Sequence, residues 1–298
     1  MYTRMLIPLD GSKVAEQVLP YARFLARALT ISVELLEVVD PEALNLLANP
    51  EQGRYIDTLL AEKKESRKTY LEAIARSFQA ARIKCFVEAG KAEEVIIEKA
   101  ATDKETLVVM ATHGRSGIQR WLLGSVAEKV LHGAANHMLL VRAREGGAVN
   151  GEAGLTTVVV PLDGSALAEQ VLPHVVDLAK KLKAKLILMR AYALPPAVSA
   201  NEYGSYMEEL VKQLESETLE YLAQKAKEAK AMGVENVEPI ASFGYGAEEI
   251  IKLGRQTPDN FIAMCTHGRS GVKRWVLGSV TERVVQHSGD PVLIIRAV

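Results

Sequence analysis

Short apolar runs alternate with amphipathic stretches through the first half of the chain. Five runs have the length and the branched apolar side chains of buried strands, and they lie at residues 5–8, 33–39, 84–88, 107–111 and 138–141. Four intervening stretches have helical patterns, and they lie at residues 14–26, 54–81, 93–100 and 125–134. Strands that alternate with helices form βαβ units. The pattern therefore predicts an α/β fold, with a parallel sheet covered by helices on both faces.

Local signals refine the start of the first predicted helix. The run Asp10-Gly11-Ser12 predicts a turn, in which Ser12 caps the helix that follows. Pro20 lies inside the apolar stripe of this helix. A proline there removes one backbone hydrogen bond, so the sequence predicts a kinked helix.

The second half of the chain repeats the first. The Pro-Leu-Asp-Gly-Ser run at residues 8–12 recurs 153 residues later, at 161–165. The Thr-His-Gly-Arg-Ser-Gly run at residues 112–117 recurs 154 residues later, at 266–271. A repeat of this length indicates duplication of a whole domain rather than a solenoid.

The repeat also predicts the domain boundaries. The one-residue change of offset is expected where Gly90-Lys91 faces Gly244-Tyr245-Gly246. Residues 145–154 contain four glycines without apolar periodicity, which predicts a flexible linker. We therefore expect a first domain at residues 1–143, a linker at 144–154 and a second domain at 155–298.

Composition narrows the classes of partner. The 36 basic and 37 acidic residues nearly cancel, so the chain has no large field to attract nucleic acid or an anionic membrane. No apolar run reaches the roughly 18 residues of a membrane span. Cys85 and Cys265 fall at unmatched places in the two copies. We expect them to be buried, reduced thiols, which fits a cytoplasmic protein. The balanced charge predicts a protein that binds neither nucleic acid nor membrane.

The loop after the fourth predicted strand has the composition of an anion site. Gly114 and Gly117 lie in this loop, and Gly124 and Ser125 lie just before a helix. Glycine lets an oxygen approach the backbone closely, and a helix start presents unpaired N–H groups with a partial positive charge. The alternative is a purely structural role, in which these glycines serve only tight turns and helix packing. Near-verbatim reuse in the second copy favours a function, although recent duplication would also preserve the run.

Other nucleotide fingerprints do not fit. The chain lacks the Gly-x-x-x-x-Gly-Lys-Ser/Thr run of P-loop proteins. Gly244-Tyr245-Gly246 lacks the third glycine of a dinucleotide fingerprint, because Glu249 occupies its place.

With these residues the chain resembles the universal stress protein family, in its tandem two-domain form. Nucleotide-binding members of that family carry Gly-x2-Gly-x9-Gly-Ser/Thr after the fourth strand. Gly114, nine residues, and Gly124-Ser125 match this pattern, as do their counterparts Gly268 and Gly278-Ser279. The first glycine of the pattern is replaced by Ala111 in one copy and by Cys265 in the other.

The resemblance implies a fold, a ligand and an assembly. Each domain would have five parallel strands in the order 3-2-1-4-5, with helices on both faces. ATP, or AMP or ADP, would bind between the first and fourth strands, with Mg²⁺ carried on its phosphates. Family members often pair their last strands in a dimer, so the two copies here would make an intramolecular pseudo-dimer, and a further homodimer stays open.

The resemblance also implies the residues that bind the nucleotide. Asp10 and Val38 would hold the adenine and ribose end, and the glycine-rich loop would line the phosphates. In the first copy the predicted site comprises Pro8, Leu9, Asp10, Val38, Met110, Ala111, His113, Gly114, Arg115, Gly117, Gly124, Ser125 and Val126. In the second copy it comprises Pro161, Leu162, Asp163, Ala191, Met264, Cys265, His267, Gly268, Arg269, Gly271, Gly278, Ser279 and Val280.

The two predicted sites are not equal. Cys265 is larger than Ala111, so we expect it to narrow the second pocket. Val38 becomes Ala191 in the second copy. The sequence therefore predicts that the first site is the better nucleotide pocket.

Single polar residues in these runs have simpler interpretations. An aspartate before Gly-Ser is more often a turn residue than a catalyst, which applies to Asp10 and Asp163. His113 and His267 each stand alone in a loop, so no metal bound by protein side chains is predicted. Trp121 and Trp275 are interpreted as packing residues.

Three functions remain at this point. We favour a stress-response regulator that binds adenine nucleotide without catalysis. A slow ATPase or an adenylate-transferring enzyme would use the same pocket, but no general base or activated nucleophile is apparent. A nucleotide-free interaction module is kept open by Ala111 and Cys265.

Overall fold

The chain forms two compact units, Met1–Gly154 and Leu155–Val298. The computed structural model describes residues 2–42, 56–79, 82–112, 123–144, 146–194, 204–266 and 277–296. Each unit is an α/β domain, as the alternating pattern predicts.

The first unit contains five parallel strands in the order β3-β2-β1-β4-β5. The strands are β1 (Arg4–Leu9), β2 (Ser32–Val39), β3 (Ile83–Ala89), β4 (Thr106–Ala111) and β5 (Met138–Val141). The described helices are α1 (Leu19–Leu29), α2 (Ile56–Ala75), α3 (Ala92–Ala101) and α4 (Ser125–Gly133).

The second unit repeats this topology, with its parallel strands in the order β8-β7-β6-β9-β10. Its strands are β6 (Thr157–Pro161), β7 (Lys185–Tyr192), β8 (Val237–Phe243), β9 (Asn260–Cys265) and β10 (Val292–Ile295). Its helices are α5 (Val171–Leu182), α6 (Gly204–Ala231), α7 (Gly246–Gln256) and α8 (Ser279–His287), and one further helical turn covers Ala166–Glu169. The predicted strand order 3-2-1-4-5 is confirmed in both units.

The central strands of each sheet form the core. Met5, Leu6 and Ile7 of β1 have no exposed surface, and every residue of β4 is buried. Side chains from both faces of these strands are buried because helices cover the sheet on both sides. The continuous apolar runs in the sequence are the consequence of that double burial.

The first helix does not run through its proline. A short 3-10 turn, Ala15–Val18, precedes α1, and Pro20 is the second residue of α1. In the second unit Pro173 is the third residue of α5. The prediction of a kinked helix is therefore wrong. The chain starts a new helix just before the proline, where its missing N–H costs no helical hydrogen bond.

The predicted capping by serine is confirmed. The hydroxyl of Ser12 accepts a hydrogen bond from the N–H of Ala15 at 3.1 Å. Ser165 does the same for Ala168 at 3.1 Å.

The change of repeat offset lies upstream of its predicted place. Gly90 and Gly244 follow seven-residue strands and have nearly the same backbone angle, φ 146° and 144°, so they are equivalent. Helices α3 and α7 then begin two residues later in both copies. When the two copies are aligned, Gly90-Lys91 matches Gly244-Tyr245 without an insertion. The offset has already changed before β3 and β8, in segments where helix length differs between the copies.

The segment between the copies is bonded to the first unit. The side-chain amide of Gln17 donates to the carbonyl of Arg144 at 2.7 Å and accepts from its N–H at 2.8 Å. Arg23 Nη1 donates to the carbonyls of Val149 at 3.0 Å and Gly151 at 2.8 Å. The prediction of a flexible linker rested on glycine content and on the lack of apolar periodicity. The partners that hold this segment lie more than a hundred residues away along the chain.

Replacing Arg23 with alanine is expected to release this segment. The substitution removes two charge-assisted hydrogen bonds to backbone carbonyls, each of which contributes about 1.5–3 kcal/mol. We expect backbone amides in residues 147–153 to exchange with deuterium at least about 10-fold faster, measured by mass spectrometry on the native protein.

The control is Arg27→Ala. This side chain is 56% exposed and pairs with Glu152, so its loss should change exchange little. Equal exchange in Arg23→Ala and wild-type protein would show that the segment is held by other contacts.

Candidate functional site

A cavity of about 290 Å³ lies at the carboxyl ends of the central strands of the first unit. Such strand ends are where open α/β sheets bind ligands. Strands β1, β2 and β4 supply one wall, and the starts of α3 and α4 supply the other. The lining residues are Pro8, Leu9, Asp10, Ala15, Leu36, Val38, Ala92, Ile96, Met110, Ala111, Thr112, Gly124, Ser125, Val126 and Ala127.

A cavity of about 370 Å³ occupies the equivalent place in the second unit. Its lining residues are Pro161, Leu162, Asp163, Ala168, Ala191, Gly246, Ile250, Met264, Cys265, Gly278, Ser279, Val280 and Thr281. Both volumes are near the lower end of the range for small-molecule sites, about 300–1,000 Å³.

The structure brings together the predicted site residues that it describes. In the first unit Pro8, Leu9, Asp10, Val38, Met110, Ala111, Gly124, Ser125 and Val126 all line the cavity. In the second, Pro161, Leu162, Asp163, Ala191, Met264, Cys265, Gly278, Ser279 and Val280 do so. The predicted residues His113, Gly114, Arg115, Gly117, Trp121, His267, Gly268, Arg269, Gly271 and Trp275 lie outside the described residues.

Sequence reasoning missed the wall that the third helix of each unit supplies. Ala92 and Ile96 of α3 line the first cavity, and Gly246 and Ile250 of α7 line the second. Each pair is spaced i, i+4, so both residues face the same side of their helix. That spacing was a usable signal, but it marks a buried face in general and does not distinguish a cavity from the core.

The Asp-Gly-Ser turn is held by its own side chains. Asp10 Oδ1 accepts from the N–H of Ser12 at 2.9 Å and from its hydroxyl at 2.6 Å. Asp163 and Ser165 repeat both hydrogen bonds at the same distances. The interpretation of these aspartates as turn residues is confirmed. The carboxylate fixes the conformation of a turn that borders the cavity.

A tyrosine of α2 and a tyrosine of α6 each bond to a glutamate in the short helical turn that follows the Asp-Gly-Ser run. The hydroxyl of Tyr70 donates to Glu16 Oε1 at 3.2 Å, and that of Tyr221 donates to Glu169 Oε1 at 2.8 Å. Burial raises the pKa of both phenols well above its usual value, and the neighbouring glutamate raises it further. Both phenols therefore stay protonated and act as donors. Neither tyrosine was singled out from sequence, because its partner is more than fifty residues away.

The start of the fourth helix in each unit faces the cavity. Gly124 is the N-cap of α4 and Gly278 the N-cap of α8, and glycine has no side chain that could cap the first N–H groups. The first N–H groups of a helix lack intrahelical partners and carry a partial positive charge. Ser125 and Ser279 line the cavities at these same ends and add a hydroxyl each. The arrangement suits an anion such as a phosphate.

Backbone hydrogen bonds orient these helix starts toward the strand ends. The N–H of Gly124 donates to the carbonyl of Thr112 at 2.6 Å, and that of Gly278 donates to Thr266 at 2.8 Å. Thr281 also donates its hydroxyl to the carbonyl of Cys265 at 3.0 Å. The first turn of each helix is thus held directly over the end of the fourth strand.

Comparison with known proteins identifies the family. The family model described as the universal stress protein family matches residues 1–142 and again residues 154–296. The chain belongs to the universal stress protein family. Two copies of the family's domain therefore lie in tandem in this chain.

Individual universal stress proteins show the same likeness. One from Methanocaldococcus jannaschii is 31% identical over 148 residues, which are 49% of this chain and 85% of the relative. One from Mycolicibacterium smegmatis is 22% identical over 304 residues, and the match spans 98% of this chain and 96% of the relative. The crystal structure of a universal stress protein from Archaeoglobus fulgidus covers 99% of both chains with a TM-score of 0.68 at 21% identity. That structure has the fold described above.

Within the described part of this universal stress protein, none of the helices has the length and apolar character needed to cross a membrane.

The second cavity is the larger of the two, contrary to the sequence prediction. Cys265 lines this cavity, and its Sγ donates to the carbonyl of Ala168 at 3.7 Å. Ala191 in place of Val38 and Gly246 in place of Ala92 together remove three carbon atoms from the lining. Cys265 in place of Ala111 and Thr281 in place of Ala127 add three heavy atoms, so the placement of the side chains as well as their size determines the volume.

The two units also differ in charge behind the cavity. Glu37 of β2 is buried and forms an ion pair with Arg67 of α2, with 3.1 Å between Oε1 and Nε. The equivalent residue in β7 is Arg190, whose guanidinium lies 4.9 Å from the ring centre of Tyr221. A buried acid in one universal stress domain is thus replaced by a base in the other.

Cys265 is expected to resist thiol reagents in the folded protein. Burial raises the pKa of its thiol to about 12, so the reactive thiolate is scarce at neutral pH. We expect modification by a disulfide reagent at about pH 8 to be at least about 100-fold slower than in urea. The shift also predicts a pH effect. The folded state keeps the thiol proton to higher pH than the unfolded chain does, so stability falls as pH rises from the ordinary thiol pKa of 9.0 toward about 12.

Cys85 provides the internal comparison. It is half-buried, so the prediction of buried thiols is right for Cys265 and wrong for Cys85. Burial raises the pKa of Cys85 as well, but its thiol is the more accessible of the two. Kinetics on Cys85→Ser and Cys265→Ser proteins separate the two thiols. Equal rates at both positions would contradict the burial of Cys265.

Proposed function

We propose that this universal stress protein binds ATP or another adenine nucleotide in each unit and acts as a non-catalytic regulator of the stress response. The observation that carries the proposal is the pair of cavities, each bounded by a helix start without a side-chain cap. The same arrangement occurs in both copies, although the lining around it has changed.

The phosphates would bind at the starts of α4 and α8. Backbone N–H groups and the hydroxyls of Ser125 and Ser279 would donate to the phosphate oxygens, and the helix dipole would favour their negative charge. Mg²⁺ would be carried on the phosphates rather than held by a cluster of protein ligands. The predicted residues of the glycine-rich loops would complete this end of the site.

The adenine and ribose would lie at the other end of each cavity. Val38 or Ala191 would contact the base, and Asp10 or Asp163 would lie beside the sugar. This wall is apolar, with Leu36 and Ile96 in the first unit and Ile250 in the second. An apolar wall with a few polar groups is the usual composition of a small-molecule site.

A binding role is favoured over catalysis by the described lining. Among those residues, Asp10 is the one acidic or basic side chain of the first cavity, and its Oδ1 already holds the turn. The second cavity adds Cys265, whose raised pKa makes it a poor nucleophile. The output would then be a shift in population between nucleotide-bound and free forms, which partners or self-assembly would sense. We propose a cytoplasmic protein whose two copies form an intramolecular pseudo-dimer, without nucleic-acid or membrane binding.

Mass spectrometry of the denatured full chain, together with calorimetric titration of stripped protein with Mg²⁺ and ATP, tests the proposal. We expect ATP, ADP or AMP to co-purify or to bind, with up to two sites per chain. No co-purified nucleotide, no heat and no thermal shift at millimolar ATP would overturn it. Phosphate release above background from saturated protein would instead favour the slow ATPase.

A further inference from the structure

We propose that the second unit accepts an adenine nucleotide with an apolar group on its base, whereas the first unit accepts only the unsubstituted base. The inference rests on the proposed function and assigns different ligands to the two sites. It comes from comparing equivalent positions of the two cavities.

The equivalence of the two enlarged positions follows from strand register and helix starts. Val38 of β2 lies opposite Glu88 of β3, and Ala191 of β7 lies opposite Ser242 of β8. These pairs hold the same register position in the two sheets. Ala92 and Gly246 are the first residues of α3 and α7.

The missing methyl group at Gly246 opens one side of the second cavity. A Cβ placed on Gly246 would lie 3.8 Å from Cγ1 of Val280, which is an ordinary van der Waals contact. Without it, Val280 is 41% exposed, whereas its counterpart Val126 is half-buried in the first unit. The exposure of Val280 thus supports, independently of the volume, the view that this side is open.

The opened side has the chemistry of an apolar ligand group. Ala191, Gly246, Ile250 and Val280 all line the cavity and carry no polar side-chain atom. Tyr245, the N-cap of α7 and the residue before Gly246, is 73% exposed, and the first unit has Lys91 at this position. An exposed aromatic ring next to an apolar wall favours a planar or apolar substituent over a charged one.

The phosphate end does not differ in this way. Gly124-Ser125 and Gly278-Ser279 have the same sequence, and both glycines have extended N-cap angles, with φ −62° and −61°. The two sites therefore offer the same phosphate contacts and different room for the base. The proposed function places the base beside Val38 or Ala191, so the room that Ala191 adds lies at the base, and Gly246 extends this room toward Val280 of α8.

The test compares ATP with N6-benzyl-ATP on full chains in which one site is blocked. Gly124→Asp blocks the first site and Gly278→Asp blocks the second. We expect ATP to bind both chains and N6-benzyl-ATP to bind the Gly124→Asp chain at least about 10-fold more tightly than the Gly278→Asp chain, because a misplaced carbon group typically costs 10–200-fold.

Swapping the lining residues supplies matched variants. In the Gly124→Asp chain, Ala191→Val with Gly246→Ala should lower the ratio of N6-benzyl-ATP affinity to ATP affinity at least about 10-fold, with both affinities measured on the same chain. In the Gly278→Asp chain, Val38→Ala with Ala92→Gly should raise the affinity for N6-benzyl-ATP. At Gly246 the backbone angle φ lies outside the left-handed region, so alanine fits there without strain.

The outcomes separate this inference from the proposed function. Three outcomes overturn the inference alone, provided that ATP still binds. They are equal affinity for the analogue at both sites, no binding of the analogue at either site, and no response of its affinity to the swaps. Absence of ATP binding to every chain, including the unsubstituted one, overturns the proposed function as well.

Discussion

Gly124→Asp is expected to abolish nucleotide binding in the first unit without unfolding it. Gly124 has φ −62° and ψ 144°, which any residue adopts. Aspartate is among the best N-cap residues, so the helix itself should be as stable as before or slightly more so. The new carboxylate would accept hydrogen bonds from the same first-turn N–H groups that the phosphates need, and it would repel the phosphates.

The expected loss at this site is at least about 100-fold in affinity, or about 2.8 kcal/mol. Calorimetric titration with Mg²⁺ and ATP would show one remaining class of site, contributed by the second unit. Circular dichroism and the melting temperature should be unchanged.

Two variants show whether the loss comes from the charge. Gly124→Ala adds a side chain without a carboxylate and should retain most of the affinity. Gly278→Asp makes the same change at the equivalent helix start and should remove the other class of site. If Gly124→Asp still bound two nucleotides per chain, the phosphates would not lie at the start of α4.

Leu35→Ala is expected to have the largest effect on stability. Leu35 lies in β2 between β1 and β3, and its side chain has no exposed surface. Truncation of a buried leucine to alanine removes apolar contacts and leaves a cavity, which together cost about 2–5 kcal/mol. Because a domain is stable by only about 5–15 kcal/mol, this is a large fraction of the total.

Urea unfolding followed by circular dichroism measures this loss. Leu219→Ala is the matched control, since it makes the same chemical change on helix α6 at a side chain that is 40% exposed. We expect its stability to change by less than about 0.5 kcal/mol, because alanine also has the higher helix propensity. Equal destabilisation by the two substitutions would contradict the burial of Leu35.

The internal duplication makes this chain a natural comparison of two related sites. The helix starts at Gly124 and Gly278, where we propose that the phosphates bind, have the same residues and geometry in both units, whereas the cavity walls differ at Val38 and Ala191 and at Ala92 and Gly246. A difference in ligand preference would therefore be measurable inside one molecule, under one set of conditions.

The order of the elements was predictable from the sequence because it depends on local composition. Strands buried on both faces need continuous apolar runs, and helices on the sheet need a 3.6-residue apolar period, so both leave a signal in a short window. The Asp-Gly-Ser turn and its serine cap were predictable for the same reason, because residues 10–15 make all of the hydrogen bonds that define them.

The described cavity residues were predictable where a motif marks them. Gly124 was found from the composition and spacing of the glycine-rich loop, and Asp10 and Met110 were found from the family resemblance that this loop carries. Ala92 and Gly246 were missed because nothing in their own segment shows that the helix start closes over a cavity.

Features that depend on contacts between distant residues were decided only by the tertiary structure. The second cavity is the larger one although Cys265 is larger than Ala111, and the sulfur of Cys265 donates to the carbonyl of Ala168. The hydrogen bonds of Gln17 and Arg23 determine that the glycine-rich segment lies against the first unit. The sequence by itself determined the duplicated α/β fold and the positions of the helix starts at Gly124 and Gly278, because these follow from local periodicity and from spacing. The shapes of the two cavities depend on which distant side chains pack together, and the local sequence does not determine that packing.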